Sequence, residues 1–528
     1  MIRTRVWLSA AAALTALVLP SLARSQAIAP PGAAEEKVIL TPKPGPEPRI
    51  NGPKVYGCRP ARPFLYRIPC TGERPITFAA DNLPAAIVLD PATGILIGTA
   101  PAERGEYAVT LMAQNRFGSA ERPLVIVVGD TLALTPPMGW NSWYIHYYRV
   151  TAADMRAAAD AMIDSGMADF GYEYVNIDDC WMQKPGSEDP MLGGEPRDPL
   201  HENAIRSNKH FPDMKALADY IHGKGLKAGL YTSPGPLTCQ KYAGSYEHEE
   251  LDARQFAAWG FDFLKYDWCS YRTVAGGKEL KDLQKPYRKM GEILARLDRD
   301  VVYNLCQYGM GDVWTWAADV GGNCWRTTGD LGLARGDRLP GFYHIGLSNA
   351  RHFEHAGPGH WNDPDYILIG WVGAARGQTE GRPTALTADE QYSYMSMWCL
   401  MAAPLIYSGD MTKLDEFTLN VLCNAEVIDV DQDRLGKQAR VIRQSDDELV
   451  LAKPMEDGSL ALGLFNLGEV ERKMAVMWAE LNLAGPHIAR DLWRQKDLGT
   501  LDETYSALLP RHGVAFVRLR QTALGKPQ

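Results

Sequence analysis

LDARQFAAWGFDFLKYDW, residues 251–268, holds one helix–strand unit. The first ten residues read as a helix stopped by Gly260, and the last eight as a short, largely apolar strand. Phe261, Phe263 and Tyr266 do not share a face, which suits a strand buried on both sides, as in a parallel sheet. Lys265 and Asp267 do share one, because side chains two apart on a strand point the same way. The run ends on Asp267, flanked by Trp268 and Cys269, where burial is hostile to charge. Such a residue is a satisfied structural acid, a metal ligand or a nucleophile.

The unit recurs on both sides. Thr151 with Asp154 three residues on caps a predicted helix that carries Met155, Ala159, Met162 and Ile163 on one face and ends at Gly166, and YEYVNIDD follows. DMKALADYIHGKG leads to LKAGLYTS, KPYRKMGEILARLDRD to VVYNLCQ, and DVWTWAADVGG to CWRTTGD. Thr387 and Glu390 form a second capping box, before a helix running to about Met401 and then PLIYSGD. With PPMGWNSW at the front and HWNDPD near residue 360, the strand candidates number about eight. Repeating strand–helix units over roughly 300 residues predict a (β/α)8 TIM barrel. The alternative is a doubly wound open sheet, but no glycine-rich nucleotide turn follows the first strand.

The flanks differ in rhythm. MIRTR supplies two positive charges, VWLSAAAALTALVLPSLA an apolar core, and small residues follow, so residues 1–27 read as a secretory signal peptide. Export to the periplasm or the medium is expected, with no membrane attachment after cleavage. Residues 28–50, rich in Pro and Ala, read as a linker. Residues 51–130 hold short alternating runs between Pro, Gly, Asn and Asp, the pattern of a small β-sandwich. The barrel is placed at 131–432. Residues 433–528 return to β, with a hairpin signal at EDGS and an alternating last strand GVAFVRLRQ, and predict an antiparallel β-sandwich. The chain has 528 residues, 23% of them charged, and a net charge of −9. That balance offers no basic excess to neutralise phosphates, so nucleic acid is not an expected partner. The nine cysteines include no CxxC pair, which argues against a thiolate zinc site.

In a barrel the active face is formed by the C-terminal strand ends. Those ends carry Trp140, Asp178, Asp179, Tyr231, Asp267, Gln307, Arg326, Asp330 and Asp365. Several carboxylates with an Arg, a Lys and aromatic walls suit glycoside hydrolysis. One carboxylate attacks the anomeric carbon and another protonates the leaving oxygen, while further acids accept hydrogen bonds from hydroxyls. Tryptophans cover the apolar faces of a sugar ring. A metal site is the competing reading, with His352 and His355 three apart in RHFEH. The strand ends themselves lack histidine, and RHFEHAGPGH reads as a helix end running into a loop. No cofactor and no metal are expected.

PPMGWNSW, NIDDCW, GLKAGLY, FLKYDWC, CWRTTGD, PGHWNDPD and MAAPLIYSGD together resemble the α-galactosidase (melibiase) family of glycoside hydrolases, family 27, from about Leu132 to the end of the chain. The β-module before the barrel resembles the Ig-like modules of some bacterial members. The resemblance implies a retaining mechanism with Asp267 as nucleophile and Asp330 as acid/base. It implies that Lys265 contacts sugar hydroxyls and that Asp178 and Asp179 grip O4 and O6 of galactose. Trp140 would form the pocket floor, Tyr231 a wall, Arg326 a contact near O2, and Asp365 a further pocket acid. Cys269 would border the sugar and pair with Cys239 in a disulfide. That leaves Cys58 and Cys70 as a local bridge in the Ig-like module, and Cys306 and Cys324 as a further possible pair.

CQYGMGD departs from the family, since Gln307 stands where Glu usually contacts O2. An amide still accepts that bond, without charge. The expected substrate is an oligo- or polysaccharide ending in an α-galactoside. The alternatives within the family are an α-N-acetylgalactosaminidase, whose members carry small residues where Gln307 and Met310 stand, or an enzyme for isomaltose-type glucosides or β-L-arabinopyranosides. A catalytically silent carbohydrate-binding protein is a third reading, and retention of both Asp267 and Asp330 argues against it. The Ig-like module, without a clear aromatic platform, reads as a spacer.

Overall fold

The computed structural model describes residues 38–200, 202–373 and 381–522. The expected signal peptide, the start of the expected linker and the last six residues lie outside this set. Eight segments form one parallel sheet: β1 (Met138–Asn141), β2 (Tyr174–Asn176), β3 (Lys227–Thr232), β4 (Phe263–Asp267), β5 (Val302–Cys306), β6 (Cys324–Arg326), β7 (Trp361–Asp363) and β8 (Leu405–Tyr407). Their order is β7-β6-β5-β4-β3-β2-β1-β8. Just beyond β7, Ile367 makes a parallel bridge to Tyr407 of β8, and its N–H donates to the Ile406 carbonyl at 2.8 Å. The ring therefore closes through a single residue past the end of β7, and the fold is the (β/α)8 barrel.

The outer helices begin and end where local chemistry directs. α1 (Ala152–Asp164) starts in a capping box in which Thr151 and Asp154 bond each other's backbone N–H, and left-handed Gly166 follows its end. Asp213 caps α2 (Met214–His222). α3 (Glu249–Trp259) stops at Gly260, whose φ of 100° is open to glycine and costly for any other residue. α4 (Leu280–Arg296) and α5 (Gly341–Asn349) precede β5 and β7. α6 (Ala388–Leu400) opens in the Thr387–Glu390 box and is buried from Glu390 to Leu400, because it lies between the barrel and the C-terminal domain. Trp493 of that domain donates to the Ser396 hydroxyl at 2.9 Å, and the His512 carbonyl accepts from Ser393 at 2.7 Å and from Tyr343 at 2.8 Å. One expected helix is absent. DVWTWAADVGG forms two short 3-10 turns, Val313–Thr315 and Ala318–Val320, with left-handed Asp312 before the first and left-handed Gly321 closing the second.

The N-terminal module is a sandwich of a four-stranded and a three-stranded sheet around Phe64, Tyr66, Phe78, Leu96, Leu111, Leu124 and Ile126. The expected bridge between Cys58 and Cys70 is not present. Both thiols are buried and free, and they lie on strands of different sheets. Cys306 and Cys324 are also unpaired. The parallel register sets Cys324 beside Asn304, two residues short of Cys306.

One reading of the flanks changes. Residues 38–50 do not behave as a free tether where they are described. The Leu40 N–H donates to the Tyr392 hydroxyl at 3.1 Å, Asn420 donates to the Thr41 carbonyl at 2.8 Å, and Arg49–Ile50 pairs with Cys70–Thr71. The Ig-like module, read as a spacer, is fastened to the barrel by side-chain contacts. Arg59 pairs with Asp300 at 2.6 Å and donates to the carbonyls of Leu294, Ala295, Leu297 and Arg299, at and just past the end of α4. Lys227, the first residue of β3, is buried over the Tyr56 ring at 4.5 Å and paired with Glu173 at 2.9 Å. These contacts lie at N-terminal strand ends, so the module covers the barrel face opposite the acidic strand ends.

The C-terminal domain sets a six-stranded antiparallel sheet against the pair Arg472–Met477 and Thr504–Leu509. EDGS turns between Glu448–Pro454 and Leu460–Asn466. The last strand, Val514–Gln521, is internal to the sheet rather than at its edge. Among the described residues no helix is long and apolar enough to cross a membrane.

Candidate active site

The strand ends bring the expected residues to one face. Trp140 lies within β1, fully buried, and its indole N–H donates to the Gly409 carbonyl at 2.8 Å, which fixes the ring. Asp178 and Asp179 follow β2, Tyr231 lies in β3, and Asp267 is the last residue of β4. Gln307 follows β5 and Arg326 ends β6, with Asp330 four residues on and Asp365 two residues past β7.

The parallel register aligns Lys265 with Tyr231 on one side and with Asn304 on the other. The Lys265 ammonium is buried and donates to Asp178 Oδ2 at 2.8 Å, and the rings of Tyr366 and Tyr231 lie 5.1 and 5.4 Å from it. Burial works against the charge, but Asp178 and then Tyr366, Cys306 and Asp267 together outweigh it and hold the lysine pKa well above its ordinary value. Tyr366 also donates to Asp178 Oδ2, at 3.2 Å.

Burial raises the Asp267 carboxyl to a pKa of about 6. Lys265 and a hydrogen bond from Tyr308 oppose that rise, while the charges of Asp330 and Asp178 add to it. A carboxyl so perturbed, set in a cleft beside a lysine, is a candidate functional group. Asp330 is more open, with 32% of its side chain exposed, and Arg326 Nη2 reaches it at 3.4 Å. The same guanidinium nitrogen meets Asp365 at 3.1 Å. Asp365 in turn accepts from Tyr144 at 2.7 Å and from the Leu331 N–H at 2.8 Å. Burial raises its pKa, and Arg326 pulls against that.

Asp179 is fully buried, and burial raises it to about 7 against hydrogen bonds from Thr238 and the Gln240 N–H. Its Oδ2 accepts the Gln240 N–H at 2.9 Å and its Oδ1 the Cys180 N–H at 2.7 Å. Its first task is to hold the loop after β3 against the loop after β2. With three donors on its two oxygens, the carboxylate keeps one acceptor position open. Gln307 is also buried, and its amide donates to the Met310 carbonyl at 3.0 Å while its Oε1 has no partner among the described residues. Cys239 and Cys269 form the expected disulfide, and the Tyr231 hydroxyl lies 3.1 Å from Cys269 Sγ. His352 sits on the 3-10 segment Ala350–His355 and stacks on Trp314 at 3.5 Å between centroids.

Three tyrosines complete the site without having been singled out in the sequence. Tyr366 and Tyr308 each stand directly after an expected residue, and Tyr144 lies in the one-turn helix Trp143–His146 after β1. Their hydroxyls serve Asp178, Asp267 and Asp365 respectively. A tyrosine next to a recognised motif was the only signal available.

A barrel whose strand ends converge two unlike carboxylates, one buried and one open, inside a ring of fixed hydrogen-bonding groups is the architecture of a glycoside hydrolase. Residues 135–433 match the family model described as Alpha galactosidase A, residues 445–519 match the Alpha galactosidase C-terminal beta sandwich domain, and residues 59–129 match an Ig-domain model. The chain belongs to the α-galactosidase (melibiase) family. It is 37% identical over 398 residues to Alpha-galactosidase 2 of Arabidopsis thaliana, spanning 75% of this chain and 91% of the relative. A Bacteroides fragilis crystal structure assigned to the α-galactosidase/melibiase class superposes with a TM-score of 0.81 at 34% identity, covering 92% of this chain and 99% of that one. The Saccharomyces cerevisiae α-galactosidase solved with raffinose has a TM-score of 0.63 and 26% identity, covering 74% and 98%.

Proposed function

We propose that the protein is a retaining exo-glycosidase that releases terminal α-D-galactosyl residues from oligo- or polysaccharides. The observation that carries this reading is the unequal pair Asp267 and Asp330, buried and open, with Lys265 acting on the first, Arg326 on the second, and the charge of Asp330 felt at Asp267. Asp267 attacks the anomeric carbon as Asp330 gives its proton to the glycosidic oxygen, so the C–O bond breaks and an aspartyl–galactosyl ester forms. Asp330, now a carboxylate, removes a proton from water as that water attacks the same carbon, and Asp267 leaves as the carboxylate. Two inversions give galactose with its α configuration retained.

Asp178, Lys265 and Asp179 lie where O4 and O6 would be read, and a hydroxyl of the wrong configuration would leave buried charge unpaired. Trp140 forms the floor, with Tyr231 as a wall. Arg326, Gln307 and Asp365 line the side toward O2 and the leaving group. Cys269, held by its disulfide, borders the sugar. The α-galactosidase relatives, one of them solved with raffinose, favour this sugar over the N-acetylated or pentose alternatives. The apolar, positively led N-terminus supports export, which cell fractionation with an antibody to the chain would test.

The deciding experiment is a panel of aryl glycosides with NMR of the first-formed anomer. α-Galactoside hydrolysis with initial α-galactose is expected, and Asp267→Asn is expected to remove turnover while the fold persists. Initial β-galactose, full activity in that variant, or faster hydrolysis of the N-acetylgalactosaminide would overturn the assignment.

A further inference from the structure

We infer that Tyr308 is a positioning residue for the nucleophile, acting through Asp267 mainly in the second half of the reaction. The inference rests on the reading of Asp267 as nucleophile. Tyr308 Oη donates to Asp267 Oδ1 at 2.5 Å, a charge-assisted distance. Among the described residues no hydrogen bond reaches Oδ2, so that oxygen is free to face the anomeric carbon. One oxygen held and one free fixes the rotation of the carboxylate.

The backbone that delivers this hydroxyl is conformationally costly. Tyr308 has φ 66°, and Gly309, Gly311 and Asp312 follow at 84°, 64° and 51°. A left-handed tyrosine is held only where its surroundings over-determine it, and such strain gathers at functional positions. Here the surroundings are explicit. The Gln307 amide closes onto the Met310 carbonyl at 3.0 Å, and the Trp316 indole donates to the Gly311 carbonyl at 2.8 Å. Gly309 lies so close to β6 that a Cβ there would meet the Thr327 carbonyl at 2.3 Å. On its other side the Tyr308 hydroxyl is 3.6 Å from Sγ of disulfide-bonded Cys239. The loop after β5 is folded tightly back on the barrel so that one phenol meets one carboxylate oxygen.

The consequence follows from the charge on Asp267 through the cycle. In the covalent intermediate Oδ2 is the ester oxygen and Oδ1 the carbonyl, which still accepts from Tyr308. When water attacks, the O–C bond to Oδ2 breaks and its electron pair returns to the carboxylate, whose charge the phenol stabilises. A donor that follows the developing charge lowers the barrier to that step. In the free enzyme the same bond favours the ionised form of Asp267.

The experiment compares wild type with Tyr308→Phe. The expected result is a fall in kcat of about 10- to 100-fold, with KM falling too as the glycosyl-enzyme accumulates. The acidic limb of kcat/KM should move to higher pH, and the melting temperature should hold. 5-Fluoro-α-D-galactosyl fluoride reports on the nucleophile separately, by peptide mapping of the trapped ester and by the pH dependence of trapping. If wild type is not labelled on Asp267, the nucleophile reading fails and the inference falls with it. If both proteins are labelled on Asp267 with the same acidic limb and the same kcat, the Tyr308 inference alone is overturned. Should Tyr308→Phe fail to fold, Tyr308→Trp carries the same test, since it also removes the hydroxyl and keeps a ring at a half-buried position.

Discussion

Lys265→Met removes one ammonium and keeps most of the aliphatic stem. In the wild type this ammonium and the Asp178 carboxylate, with 7% and 2% of their side chains exposed, meet at 2.8 Å. Removing one partner of such a pair leaves a buried charge behind, at a cost of about 3–5 kcal/mol. The cost depends on pH in a direction that can be worked out. The pKa of Lys265 is raised in the folded protein, so its stabilisation is complete below the ordinary lysine value and is lost only as pH rises past the folded one, far above neutrality. The wild-type pair is therefore intact at pH 7.5. In the variant, Asp178 is a buried carboxylate without its cation. A carboxylate raised on folding destabilises the fold as pH climbs from the unfolded pKa through the folded one. Urea unfolding is therefore expected to show a loss of about 3–5 kcal/mol at pH 7.5 and a smaller loss at pH 4.5, closer to the range in which unfolded carboxylates are protonated. Asp267 loses its nearest opposing charge as well, so the acidic limb of activity should move above its wild-type position near 6. Adding Asp178→Asn should restore part of the stability. Equal losses at the two pH values, or an acidic limb that moves down, would refute the reasoning.

The other consequences are simpler. Wild-type kcat/KM should fall as pH drops through about 6, because burial holds Asp267 protonated there, and Asp267→Asn has no such limb to display. Asp330→Ala should slow hydrolysis of substrates with poor leaving groups by about 10²- to 10⁴-fold, with azide restoring turnover and yielding α-galactosyl azide by NMR. Cys239→Ser opens a crosslink between residues 30 apart and should cost about 3 kcal/mol in urea unfolding, with KM rising as the pocket border loosens. Arg59→Ala removes the cation that satisfies the last carbonyls of α4, and a separate early transition for the Ig-like module is expected by calorimetry.

Most of the architecture could be read from the chain because it is local. Thr151 with Asp154, Thr387 with Glu390, and Gly260 after Trp259 satisfy or terminate backbone within a few residues, so short windows of sequence suffice to place α1, α6 and the end of α3. The alternation of such helices with short apolar runs then leaves few topologies besides a barrel. The same reasoning failed for DVWTWAADVGG, where the paired glycines and the left-handed Asp312 break the helix into turns. It also failed for residues 38–50, whose Pro-rich composition hides hydrogen bonds to Asn420 and Tyr392 more than 350 positions away.

What the sequence determined by itself is the barrel, its two β flanks and the acids at the strand ends. A strand buried on both sides can carry Lys265 and Asp267 only where it emerges, and that is a property of the strand alone. The tertiary structure decided how those acids are divided. It put Lys265 on Asp178, Arg326 between Asp330 and Asp365, and Tyr308 on Asp267, and it left Asp330 open while burying Asp267. These are distances between residues 87, 39 or 41 positions apart, as well as between near neighbours, and they set how far burial raises the Asp267 carboxyl. A protonation state depends on burial and on the nearest opposite charge, and both exist only once the ring of strands has closed.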